Sequence, residues 1–125
     1  MKTKIILLLS IVMFSFACKS TKSTEKTAAT SNTYRLIVSF ISKGEGTGSN
    51  AAALESLITS FNKKNNIVIK YEKVPWGKEG EADYCFKMDG IKKGKQADFV
   101  TSVKNLTKSA PQVIVSENAV CTHKK

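Results

Sequence analysis

Residues Tyr34 to Ile41 read YRLIVSFI. The run is β-branched and aromatic, and apolar at nearly every position, so neither face is suited to water. That is the pattern of a strand with neighbours on both edges and cover on both sides. Downstream, KGEGTGS at residues 43–49 is a glycine-rich break, and Asn50 is placed to cap a helix. Ala53, Leu54, Leu57, Ile58 and Phe61 recur at helical spacing as one apolar stripe. Asn65-Asn66 suits a left-handed stop to that helix. IVIKYEKV at 67–74 and ADYCFKM at 82–88 then predict two strands joined as a hairpin through WGKEG. After a turn over Asp89 to Gly94, Phe99, Val100, Val103 and Leu106 mark a second helix that ends before Pro111. QVIVS at 112–116 is a fourth strand, and a tail runs to Lys125.

Strand, helix, strand, strand, helix, strand is the order of an α+β, ferredoxin-like βαββαβ sandwich: four antiparallel strands with two helices on one face. The doubly apolar first strand belongs at its centre. Alternation points Leu36, Val38, Phe40, Tyr84, Phe86 and Met88 toward the helices. It points Arg35, Ile37, Ser39, Ile41, Asp83, Cys85 and Lys87 to the opposite face, which is expected to stay open to a partner.

Upstream of this domain, Lys2 and Lys4 precede an apolar run from Ile5 to Phe16, followed by Ala17 and Cys18. A basic start, a short apolar core and a small residue are the parts of a secretory signal peptide, here residues 1–17. The run is well short of the roughly 20 apolar residues that a membrane-spanning helix needs. Ser15-Phe16-Ala17-Cys18 resembles a bacterial lipobox, although Ser15 stands where leucine is commonest. The resemblance implies cleavage before Cys18, diacylglycerol on its sulfur and palmitate-type acyl chains holding the protein to a membrane of the cell envelope. Lys19, rather than an aspartate, resembles outer-membrane sorting. KSTKSTEKTAATSNT, residues 19–33, carries no hydrophobe beyond alanine and predicts a flexible tether spanning about 20 Å. The domain is expected over residues 34–125.

The chain carries a net charge of +10. Lys2 and Lys4 leave with the signal peptide, so the mature protein is expected to keep +8. Such a charge favours anionic lipid headgroups or an acidic envelope protein. It would also fit nucleic acid, but the exported address argues against that partner, and none is expected. LIVSFISKGEGTG at 36–48 and VPWGKEGEADYCF at 74–86 resemble small secreted proteins of the Bacteroidota without assigned activity. That likeness covers most of residues 34–121 and implies an address and a fold, with no mechanism.

Several residues could carry chemistry. With Cys18 assigned to lipid, Cys85 and Cys121 remain, an even count for an oxidising compartment. A bridge would require Cys121 to fold back over the sheet, because the third and fourth strands lie about 9–10 Å apart with the first between them. A buried free thiol at Cys85 and a metal or redox role are the alternatives. Cys121-Thr122-His123 offers two ligands at a terminus, without the spacing of a zinc site. The expectation is no metal and no cofactor, with His123 in solvent. Gly44, Gly46, Gly48 and Ser49 lead into a helix and could bind an anion through backbone amides. The spacing, however, is that of no established phosphate loop. Glu79, Glu81 and Asp83 beside Trp76 could act as an acid/base cluster, or could pair in place with Lys73 and Lys78. The expected function is a lipid-anchored, non-catalytic module that binds a protein or surface through Arg35, Lys87 or Trp76. A periplasmic carrier of a small molecule or metal, and an envelope hydrolase using the carboxylates, are the rival readings.

Overall fold

In a computed structural model, which describes residues 32–125, the apolar run becomes β1, Thr33–Phe40, and every other strand is placed relative to it. The elements that follow are α1, Asn50–Asn65; β2, Glu72–Pro75; β3, Ala82–Phe86; α2, Lys93–Thr107; and β4, Val113–Val120. The sheet order is β2-β3-β1-β4, and each neighbouring pair is antiparallel. β1 is therefore interior, as its composition requires, and the architecture is ferredoxin-like.

One face of the sheet carries the core. Leu36, Val38 and Phe40 of β1 lie opposite Phe86, Tyr84 and Ala82 of β3. They pack with Leu54, Ile58 and Phe61 of α1 and with Phe99, Val100 and Val103 of α2. Phe99 meets the rings of Phe61 and Phe86 at 5.2 and 5.4 Å in edge-to-face contact, the arrangement that aromatic quadrupoles favour. Leu106 falls outside this core, 41% exposed, so the apolar stripe of α2 ends at Val103.

Local chemistry moves several boundaries. α1 is capped by Ser49, whose carbonyl accepts from the Ala53 amide, while Asn50 forms the first helical residue. At its other end Asn66 takes the left-handed conformation (φ 50°). Ile67–Tyr71 is not a strand, although its residues alternate. Asn62 accepts the Ile67 amide on its backbone carbonyl and the Ile69 amide on its side chain. The helix end thus takes both amides, and β2 begins only at Glu72. β3 ends at Phe86, close to Met88 at φ 61°. β4 runs on to Val120 because it pairs along the whole length of β1.

Truncating the residue at the centre of this packing, Phe99→Ala, is expected to cost about 3–5 kcal/mol in urea unfolding. Leu106→Ala should stay within about 1 kcal/mol.

Candidate binding site

The face without helices is covered by the last residues of the chain. Cys85 on β3 lies opposite Ile37 on β1, and Asp83 lies opposite Ser39. Cys121, the residue after β4, joins Cys85 in a disulfide with Cα atoms 6.2 Å apart. Its sulfur packs with Tyr34, Ile37 and Cys85 in a second buried cluster, flanked by Val74 and Ala119. In the chain-entropy picture, closing 36 residues contributes roughly 3–4 kcal/mol.

From that bridge the tail makes two further contacts. His123 Nδ1 donates to Asp83 Oδ2 at 2.7 Å, since a carboxylate can only accept. Lys124 Nζ reaches Glu72 Oε2 at 2.5 Å and the Tyr34 hydroxyl at 3.0 Å. Glu72 and Tyr34 in turn push the Lys124 ammonium up to about 12, and Lys124 holds the Glu72 carboxyl down. The ammonium groups of Lys87 and Lys124 also lie 5.4 and 5.7 Å from the centre of the Tyr34 ring, within cation–π range.

Asp83 is only 1% exposed. A buried carboxylate is costly unless it is hydrogen-bonded, and here both oxygens are engaged: Trp76 Nε1 donates to Oδ1 at 3.1 Å while His123 takes Oδ2. The two donor rings stack at 4.3 Å with 20° between planes. Trp76 is thus fixed at its N–H and along its face, yet remains 39% exposed. The result is a rigid aromatic surface at the end of β2.

The other expected site residues separate. Arg35 binds Glu117 at 2.5 Å, and Glu117 also takes Lys104 of α2. Arg35 therefore belongs to the β1–β4–α2 corner and not to the open face, and facing Asn118 takes φ 51° there. The open face itself is a correction: Ile37, Asp83 and Cys85 are buried because the tail covers them. His123 is bonded and stacked, not merely solvated. In the glycine loop, the Gly44 and Gly46 amides both donate to Ser42 Oγ at 3.1 Å, and Ser42 donates to Glu79. These two amides are already taken by Ser42, and Ser49 acts through its carbonyl.

The carboxylate cluster does not converge either. Glu81 folds under its own turn to accept from the Glu79 amide at 2.9 Å, at a place where a Cβ on Gly77 would meet the carboxylate at 1.9 Å. Lys73 pairs with Glu55 of α1 at 3.3 Å instead. Tyr84 donates to the same carboxylate at 2.5 Å, and these two bonds, Tyr84 first, hold Glu55 below its usual value. Ligand atoms of Asp83, Cys85 and Cys121 do lie within 4.8 Å of one another. In the bridged form, however, the sulfurs are not thiolates, the form a metal binds. Among the described residues no helix is long and apolar enough to cross a membrane.

Acid should loosen this arrangement in a defined direction. Lys104 and then Arg35 hold the Glu117 carboxyl below its usual 4.5, and Glu72 and Glu55 are lowered likewise. Their contribution to stability is complete above 4.5 and is lost as pH falls below it. Denaturant midpoints should therefore drop with pH in that range, and Glu117→Gln should flatten part of the drop. Separately, Cys85→Ala with Cys121→Ala should lose roughly 2–5 kcal/mol.

Comparison with family models, characterised protein sequences and solved structures finds no match to the chain.

Proposed function

We propose that this protein is a lipid-anchored module of the bacterial cell envelope that binds a protein partner and performs no catalysis. Export is supported by the lipobox-like Ser15-Phe16-Ala17-Cys18 and by the Cys85–Cys121 disulfide, a bond that persists in oxidising compartments. The binding role rests chiefly on one observation. Trp76 is two-fifths exposed while both its N–H and its ring face are held in place. Aromatic residues dominate the energetics of protein contacts, and a ring already immobilised loses little freedom on docking. The supports of Trp76 are themselves used structurally: Asp83 is saturated by Trp76 and His123, and Glu79 and Glu81 close a loop and a turn. These contacts support a structural role for the carboxylates.

Two measurements test this reading in living cells. Cys18→Ser should abolish incorporation of labelled palmitate and leave the chain uncleaved, with the larger intact mass of the precursor. A photo-crosslinking amino acid at Lys78, beside Trp76, should give a discrete adduct that Trp76→Ala abolishes and Trp76→Phe largely retains. An adduct indifferent to Trp76, or one equally strong from Lys108, would sink the binding role assigned to this ring.

A further inference from the structure

The chain's positive charge is unevenly distributed in space. β1 starts at Thr33 opposite Val120, the last residue of β4. β3 leaves the ladder opposite Leu36, and β2 enters it opposite Cys85. These four strand termini therefore share one end of the domain. α1 finishes at that end and α2 begins there, since Asn65, Lys92 and Lys95 line one hollow. Asn32, Lys124 and Lys125 line another at the same end.

Nine lysines gather at this end. Lys63 and Lys64 close α1, Lys92, Lys93 and Lys95 open α2, Lys70 and Lys87 flank the cleft between β2 and β3, and Lys124 and Lys125 finish the tail. Glu72, Asp89 and Asp98 stand among them, and Glu117, opposite Leu36 at the same end, is paired with Arg35. The remaining six cations of residues 32–125 are matched by six carboxylates. The domain's excess charge thus lies wholly at the end where β1 begins. Val68, 71% exposed, and Tyr71 line a cleft of about 530 Å³ there, beside Lys70 and Lys87.

We infer that this end is the surface that faces the membrane, docking on the phosphate-bearing headgroups of an anionic lipid bilayer, with Val68 reaching the interface. The placement rests on the lipid anchor proposed at Cys18, which lies 14 residues before Asn32 in the chain. The chain therefore enters the domain at its basic end. Tethering raises the local concentration of this end at the bilayer. Each lysine near an anionic surface then strengthens contact by roughly fivefold, within a screening length of about 10 Å. Trp76 and the glycine loop fall at the opposite end, away from the lipid.

Amine footprinting of the lipidated protein decides it, using vesicles of phosphatidylglycerol in phosphatidylcholine against phosphatidylcholine alone. A membrane-impermeant acylating reagent should label Lys63, Lys64, Lys92 and Lys93 severalfold less on the anionic vesicles. Lys43, Lys78 and Lys108 should be unaffected, and high salt should restore the lost labelling. Equal labelling of both groups on both vesicles, or protection confined to the second group, overturns the inference. Flotation with neither vesicle also overturns the inference, whereas flotation with the anionic vesicles alone would instead remove the anchor and leave the basic end in place. In that case the protein is cosedimented with the anionic vesicles. Lys63, Lys64 and Lys92 changed together to glutamate should then weaken binding more than about tenfold. The same change at Lys43, Lys78 and Lys108 should not, and equal loss from both sets would again overturn the assignment.

Discussion

The bond between Cys85 and Cys121 is the constraint on which the rest of the helix-free face depends. A ferredoxin-like sheet has helices on one side only, so its other side must be polar, occupied or covered. Here the chain covers it with its own last residues, pinned at one sulfur. That single bond makes Ile37 and Cys85 a buried cluster and brings His123 over Asp83. Asp83 can be buried because the bridge delivers a second donor beside Trp76. Lys124 then closes the far side of the tail on Glu72 and Tyr34.

The helix-facing half of the fold was legible because alternation and helical spacing both report burial against a large apolar core. Leu36, Val38, Phe40, Tyr84 and Phe86 all pack where their alternation places them. The helix-free half was not legible from the same signal, because what covers it is not a regular element. A cue was nevertheless present. Asp83 and Cys85 are two apart on a strand, and Cys121 and His123 are two apart on the tail. Once one pair is bridged, the other pair is brought level. Of the strand expected over Ile67–Val74, only the part from Glu72 forms, since nothing in Ile67–Tyr71 itself reports that Asn62 will take its amides. For Gly44 and Gly46 the sequence leaves an anion loop as one alternative, and it does not show that Ser42 accepts from both amides.

The two ends of the domain differ in kind. At one end the lysines of α1, α2 and the tail outnumber their carboxylates, next to the point where β1 begins. Near the other, charges are balanced and the exposed feature is an aromatic ring held by a buried carboxylate and a histidine. Under the proposed reading as an anchored module, such polarity would keep the end that meets the surface and the end that meets a partner from competing. The disulfide serves both, since the tail it pins contributes His123 to the aromatic site and Lys124 to the basic end.

Trp76 is the only tryptophan in the chain, so its fluorescence reports directly on the pinned tail. The decisive measurement is its emission and its quenching by acrylamide, before and after reduction, with intact mass confirming that the bridge has opened and far-ultraviolet dichroism confirming that the fold persists. Release of the tail should remove the His123 stack, shift the emission to longer wavelength and raise the quenching. Emission and quenching that stay unchanged in the reduced, still-folded protein would contradict the account, because Trp76 would then be held by something other than the tail.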